Sequence, residues 1–343
     1  MSDLEAKVAE LRDRIGRLDR VRLAHLPTPL DFCPRRTEAL GGPKIYVKRD
    51  DMTGLAFGGN KTRQLEFLFA DILKAGADTI VAGAYTQSNW CRQITAAAAK
   101  NGLRVSLVLV HGVKGPARQG NLLLDYLMGA DVEIVDIPHI EDLAPYLEAK
   151  VTALADAGRR PYLISPLATE ILALSAVGYV DGMAELAVQM AERGFEADAI
   201  YLSAANATPA GYALGAKALG LKTRVVGVTP IHFKLDRQTD IAAVAGQAAR
   251  LLGLDCAPSA DEIINDDGYV GAGYGIVSPE GRRAMKLVAE TEGLFLDPVY
   301  SSKAMAALID HIETGRVGAD ETVVFLHTGG TPALFAYADD MDI

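Results

Sequence analysis

Short apolar runs alternate with longer amphipathic stretches along most of the chain. Lys44–Lys48 (KIYVK), Thr79–Gly83 (TIVAG), Val105–Val110 (VSLVLV), Val132–Val135 (VEIV), Ala199–Leu202 (AIYL), Val225–Val228 (VVGV) and Thr322–Leu326 (TVVFL) have the length and β-branched content of buried strands. Between them, Lys61–Ala75, Asn89–Asn101 and Leu122–Met128 place apolar residues at helical spacing. Strands apolar on both faces and separated by helices call for parallel sheets covered by helices on both sides. The predicted class is therefore α/β with open, mostly parallel sheets. Gly102, Gly129 and Gly220 stand at helix ends just before strands and read as C-caps. Leu26–Leu30 (LPTPL) is an extended stretch fixed by two prolines.

In such sheets ligands sit beyond the carboxyl ends of the strands, where loops lead into helices. One of these loops is Gly58–Glu66 (GGNKTRQLE). Its glycines allow a tight turn and Asn60 is a candidate cap, which puts Lys61 in the first turn of the predicted helix. There the macrodipole disfavours a cation by roughly several tenths of a kcal/mol. Either the lysine extends into water, or the helix end and partial burial lower its pKa and favour a neutral amine able to attack an aldehyde.

Composition narrows the partners. The 343 residues are 50% hydrophobic, enough for a large core and two lobes sharing a cleft. A net charge of -10 argues against a nucleic-acid surface, so a small-molecule ligand is expected. Met1–Leu23 lacks the apolar core of a signal peptide, and no run approaches eighteen consecutive apolar residues, so neither a membrane nor export is expected and the default location is cytoplasmic. The three cysteines form no CxxC pair and the six histidines no HxxxH spacing, so no metal site is expected.

Six ordered blocks carry a family resemblance: KRDD (48–51), TGLAFGGNKTRQLE (53–66), GAYTQSNWCRQITAAAAKNGL (83–103), DDGYVGAGYG (266–275), LDPVYSSKAMAALI (296–309) and VVFLHTGGTPALFAY (323–337). Together they resemble the D-cysteine desulfhydrase and 1-aminocyclopropane-1-carboxylate deaminase family of tryptophan-synthase-β-like pyridoxal phosphate enzymes. The resemblance implies a pyridoxal 5'-phosphate cofactor held by Lys61 in a cleft between a smaller domain (58–164) and a larger one (1–57 with 165–343). It also implies a homodimer. Asn89 would hydrogen-bond the cofactor's phenolic oxygen, while Gln87, Ser88 and Asn89 would receive the carboxylate of a small amino-acid substrate at a helix N-terminus. Tyr274 and Tyr300 match tyrosines implicated in nucleophilic or proton-transfer steps, with Ser88 beside them as a further catalytic candidate. Thr328 and Gly329 fall at the cofactor ring.

Three departures bear on activity. The glycine-rich phosphate loop of the family corresponds here to Ser203, Ala204, Ala205, Asn206, Ala207 and Thr208, and alanines crowd a ligand where glycines would not. Trp90 and Cys91 follow the Ser88–Asn89 pair where relatives carry histidine or glutamine; the indole is expected to reshape the substrate pocket and the thiol to be inert packing. Ser301 stands where the deaminases carry a glutamate, leaving the pyridine nitrogen largely neutral. The expected reaction is β-elimination from a small amino acid, giving a 2-oxo acid and ammonia. The alternatives are 1-aminocyclopropane-1-carboxylate deamination, L-cysteate sulfo-lyase activity, and a catalytically altered ligand-binding homologue.

Overall fold

A computed structural model describes residues 3–203, 206–234 and 236–341. In chain order its first elements are α1 (Asp3–Gly16), β1 (Leu30–Phe32), α2 (Pro34–Ala39) and β2 (Lys44–Lys48). A regular alternation follows: α3 (Lys61–Lys74), β3 (Thr79–Tyr85), α4 (Asn89–Lys100), β4 (Arg104–Val110), α5 (Gly120–Leu127), β5 (Asp131–Val135), α6 (Ala144–Asp156) and β6 (Pro161–Ile164). The chain continues through α7 (Thr169–Glu192), β7 (Ala199–Ser203), α8 (Ala207–Leu219), β8 (Arg224–Val228), α9 (Arg237–Leu252) and β9 (Ile264–Asp266). It closes with α10 (Pro279–Glu292), α11 (Ser301–Glu313), β10 (Thr322–Leu326) and α12 (Thr331–Ala336).

The strands form two sheets, one of six strands in the order β1-β2-β10-β7-β8-β9 and one of four in the order β5-β4-β3-β6. Every pairing is parallel except β1 with β2, as both-face burial of the strands predicts. The six-stranded sheet packs α1, α7, α8 and α9 on one face and α10 and α11 on the other. On the four-stranded sheet, α3, α4 and α5 cover one face and α6 the other. Both sheets are thus layered between helices, as the α/β pattern requires.

Each expected strand is present within one or two residues of its predicted ends. The short strands β1, β6 and β9 lie at sheet edges, where the apolar signal is weakest. Helix α7 is long and apolar enough to cross a membrane by length and composition alone, but most of it is buried against α3, α8 and α9. Gly102, Gly129 and Gly220 all have φ between 70° and 83°, the left-handed geometry of helix ends.

Candidate active site

Strand β10 lies between β2 and β7, so the loop after it, His327–Gly330, emerges beside the loop that follows β2. Backbone hydrogen bonds join the two: Asp51 N–H donates to His327 O (2.9 Å) and Asn60 N–H to Thr328 O (3.0 Å). The contact depends on glycine. A Cβ on Gly329 (φ 93°) would stand 2.7 Å from Gly59 Cα, and one on Gly59 (φ 125°) would stand 2.5 Å from Gln93 Nε2. Backbone can therefore approach backbone directly beneath Lys61.

Lys61 is the first residue of α3. Asn60 does not cap that helix: its own φ and ψ are helical (-57°, -25°), and its Nδ2 instead donates to Thr208 Oγ1 at 3.0 Å. The helix start is held two residues on. Arg63 is fully buried and donates to Asp50 (2.8 and 2.9 Å) and to Glu185 (2.8 Å), while Thr28 and Lys48 complete the cluster. Burial would raise the Glu185 carboxyl, but Arg63 and Lys48 outweigh it and hold the pKa down to about 2. These interlocked charges set the position from which the lysine projects.

The Lys61 side chain lines a cavity of about 160 Å³ together with Ser88, Asn89, Trp90, Ser203, Tyr300 and Thr328. Among the described residues no carboxylate pairs with its amine, which lies 6.0 Å from the Tyr179 ring centre. Burial alone lowers the amine to about 8, since nothing compensates the lost hydration. Lys61 is half-buried, and of the two sequence readings the partly buried amine with a lowered pKa is the one the structure supports.

The carboxyl end of β3 contributes the opposite wall. Ser88 is the N-cap of α4, its Oγ accepting from Cys91 N–H at 3.1 Å. Asn89 Oδ1 accepts from Asn121 Nδ2 (2.8 Å), and the same Nδ2 donates to Gln87 O (2.9 Å). Because Asn121 Nδ2 can only donate, the Asn89 amide must turn its own Nδ2 away from it, leaving that donor for the cavity. Gln87 does not line this cavity: its Oε1 accepts from Asn121 N–H (2.9 Å) and its Nε2 donates to Gln119 O (3.0 Å), so it supports the loop. Trp90 does line it, with its indole N–H buried and without a partner among the described residues. Cys91 is fully buried and burial pushes its thiol up.

Tyr300 completes the wall, and its hydroxyl lies 2.5 Å from that of Tyr274. Tyr274 belongs to a separate outer recess of about 250 Å³, whose lining includes Gln87, Lys114, His139 and His232. The backbone of Tyr300 is fixed by Asp297, whose buried carboxylate accepts from the N–H groups of Val299, Tyr300 and Ser301 at 2.8 to 3.0 Å.

The sequence profile described as "Pyridoxal-phosphate dependent enzyme" matches residues 21–329. The chain belongs to that family. It is 39% identical over 327 residues to a D-cysteine desulfhydrase of Klebsiella pneumoniae subsp. pneumoniae, covering 94% of this chain and 97% of the relative. A D-cysteine desulfhydrase of Salmonella paratyphi C matches at the same identity and coverage. Among solved structures, an ACC deaminase homologue superposes with a TM-score of 0.88 at 33% identity, covering 97% of this chain and 98% of that one. The diaminopropionate ammonia lyase of Escherichia coli, at 16% identity and a TM-score of 0.66, shares the fold.

As a pyridoxal-phosphate dependent enzyme, the chain must accommodate an aldehyde, a phenolic oxygen and a phosphate. The residues present fit. Lys61 provides an amine without a counter-ion, Asn89 an uncommitted amide donor, and Ser203 a buried hydroxyl with no partner among the described residues, all on one cavity. Asn206 and Ala207 also line it, while Thr208 is absent from the lining, with its Oγ1 engaged by Asn60. Ala204 and Ala205 lie outside the described residues. Thr328 faces the cavity, whereas Gly329 lies behind it, its N–H donating to His327 Nδ1 at 3.2 Å. Ser301 is absent from the lining: its Oγ donates to Asp297 Oδ1 at 2.6 Å and accepts from Asp297 N–H at 2.7 Å, so the hydroxyl is spent on holding Asp297 at the start of α11.

Sequence reasoning did not single out Asn121 or Asp297. Asp297 had a legible signal, since aspartate ahead of Pro298 and a serine-led helix is a cap pattern. Asn121 acts through Gln87 and Asn89, remote in sequence, and had none.

Proposed function

We propose that this pyridoxal-phosphate enzyme eliminates the β-substituent of a small amino acid such as D-cysteine, releasing the substituent and, with water consumed in hydrolysis, ammonia and a 2-oxo acid. The observation that carries the proposal is that half-buried Lys61, with no carboxylate paired to its amine among the described residues, shares one cavity with Ser88, Asn89 and Tyr300. When bound, pyridoxal phosphate supplies an aldehyde that condenses with amines and a conjugated ring that withdraws electrons from the neighbouring α-carbon.

The chain's own groups then have distinct tasks. Lys61, lowered to about 8, holds or releases a proton near neutrality and is the base for the substrate α-proton. The N-terminus of α4, with Ser88 and Asn89 at its first turn, receives the substrate carboxylate, and Gln87 braces that loop. Tyr300 stays protonated because burial raises its phenol, and it donates to the departing substituent with Tyr274 behind it. Trp90 limits the space left for that substituent.

Ser301 places no carboxylate after Tyr300, which favours loss of a good leaving group over ring opening. In the outer recess Lys114 already pairs with Asp340 and His232 faces Asp267, so cysteate remains an alternative substrate on sequence grounds alone. We further propose the domain division 58–164 against 1–57 with 165–343, a homodimer, and a cytoplasmic location. The altered segment 203–208 is the motive for the reading as a catalytically silent binding protein. Assays for ammonia and pyruvate with D-cysteine, L-cysteate and β-chloroalanine test the proposal. Pyruvate from at least one of them is expected; no product from any would end the elimination reading, and 2-oxobutyrate from 1-aminocyclopropane-1-carboxylate would replace it with ring opening.

A further inference from the structure

We propose that Arg237 equips the loop before α8 for a phosphate group by holding Asn206 in one orientation, so that a side-chain amide supplies what glycine backbones supply elsewhere. The inference rests on the cofactor reading above. Anions bind at helix N-termini through free N–H groups of the first turn. In α8 that turn reads Ala207-Thr208-Pro209, and proline has no N–H to give. Ala210 N–H is already spent on Asn206 O at 3.2 Å. Among the described residues, only Ala207 and Thr208 keep first-turn donors.

Side chains make up the difference. Arg237 opens α9 and is 8% exposed. Its Nη1 donates to Asn206 Oδ1 at 2.9 Å, its Nη2 pairs with Asp240, and its guanidinium lies 4.0 Å from the Phe233 ring centre. These contacts fix the plane of the guanidinium. They also fix the Asn206 amide, since Arg237 occupies its acceptor and both hydrogens of Nδ2 must point elsewhere. Asn206 lines the Lys61 cavity beside Ser203, whose buried Oγ lacks a partner among the described residues. Asp236, Asp240 and Glu141 offset the arginine charge, and Asp236 is itself engaged as the cap of α9. Orientation of Asn206 is therefore the larger part of the role. The ligand class is a phosphate monoester, recognised by Asn206 Nδ2, the Ser203 hydroxyl, two N–H groups and the positive end of α8.

The test compares pyridoxal 5'-phosphate with pyridoxal, which lacks the phosphate, by titrating the apoprotein and reading absorbance. Arg237→Gln and Asn206→Ala are each expected to weaken pyridoxal 5'-phosphate about tenfold or more while leaving pyridoxal within about twofold. The double variant is expected to lose little beyond the single ones, because Arg237 acts through Asn206. Arg237→Lys, which keeps the charge and the stem but not the planar fork, guards against misfolding and is expected to show a smaller loss again confined to the phosphorylated ligand. Equal weakening of both ligands, additive losses in the double variant, or no loss at all would overturn the inference. A wild-type chain that takes up neither aldehyde would contradict the cofactor reading itself, and this inference with it.

Discussion

The hydroxyl oxygens of Tyr274 and Tyr300 lie 2.5 Å apart, with their rings nearly perpendicular at 76°. This bond links the two hollows, because Tyr300 lines the Lys61 cavity and Tyr274 the outer recess. Burial raises both phenols, so both carry protons at neutral pH. Tyr300→Phe removes the inner proton donor and is expected to lower kcat roughly 100-fold or more with cofactor uptake intact. Tyr274→Phe leaves that donor in place and is expected to cost about tenfold. Steady-state kinetics beside absorbance titrations check both; equal and minor effects would remove the pair from the reaction.

Lys61 makes the apoprotein sensitive to pH. Its amine titrates near 8 in the folded chain against an ordinary value of 10.5. The neutral amine attacks aldehydes, so the observed rate of pyridoxal phosphate uptake should climb through pH 8 and level above it. Stability follows the same protons. Between about 8 and 10.5 the unfolded chain binds a proton that the folded chain has released, so stability rises with pH across that window. The span is at most about 3 kcal/mol. Urea melts of apo Lys61→Met, which should lack this rise, provide the comparison.

The approach of Gly329 to Gly59 admits no side chain. Gly329→Ala would press a Cβ to 2.7 Å from Gly59 Cα at a φ of 93° that alanine disfavours. A loss of more than about 1 kcal/mol is expected, together with weaker cofactor binding because the displaced loop carries Thr328. Thermal unfolding and cofactor titration measure the two effects. Wild-type values in both would show that the contact relaxes without disturbing Lys61.

Lys303 anchors the loop that bears Tyr274. Its buried Nζ donates to Val270 O (2.6 Å) and Gly273 O (2.9 Å), and burial lowers it to about 8, partly offset by Asp297. Lys303→Met leaves those carbonyls unpaired and is expected to cost about 2 kcal/mol. Because Tyr274 then loses its fixed place, kcat should fall while pyridoxal phosphate affinity stays near wild type. Denaturant melts and kinetics on the same preparation separate the two.

The layered fold and much of the candidate wall were legible because their signals are local. Runs such as Val105–Val110 declare buried parallel strands, and the six ordered blocks mark Lys61, Ser88, Asn89, Tyr300 and Thr328, which share one cavity. Roles that depend on partners far along the chain were not legible. Asn60 has the composition of a cap but bonds Thr208, 148 residues away. Ser301 matches a position near the cofactor ring yet turns its hydroxyl to Asp297, four residues back. Gln87 reads as a carboxylate ligand but braces its loop through Asn121 and Gln119. In each case a side chain with several hydrogen-bonding options took the one that tertiary packing supplied.

The central claim is that Lys61 is the residue that holds the cofactor aldehyde. The direct measurement is borohydride reduction of the protein loaded with pyridoxal phosphate, followed by proteolysis and mass spectrometry. A pyridoxyl group on Lys61, absent from Lys61→Ala, is the predicted result. Label on Lys48, Lys303 or another lysine, or a chain that stays colourless and unlabelled with excess cofactor, would contradict the account.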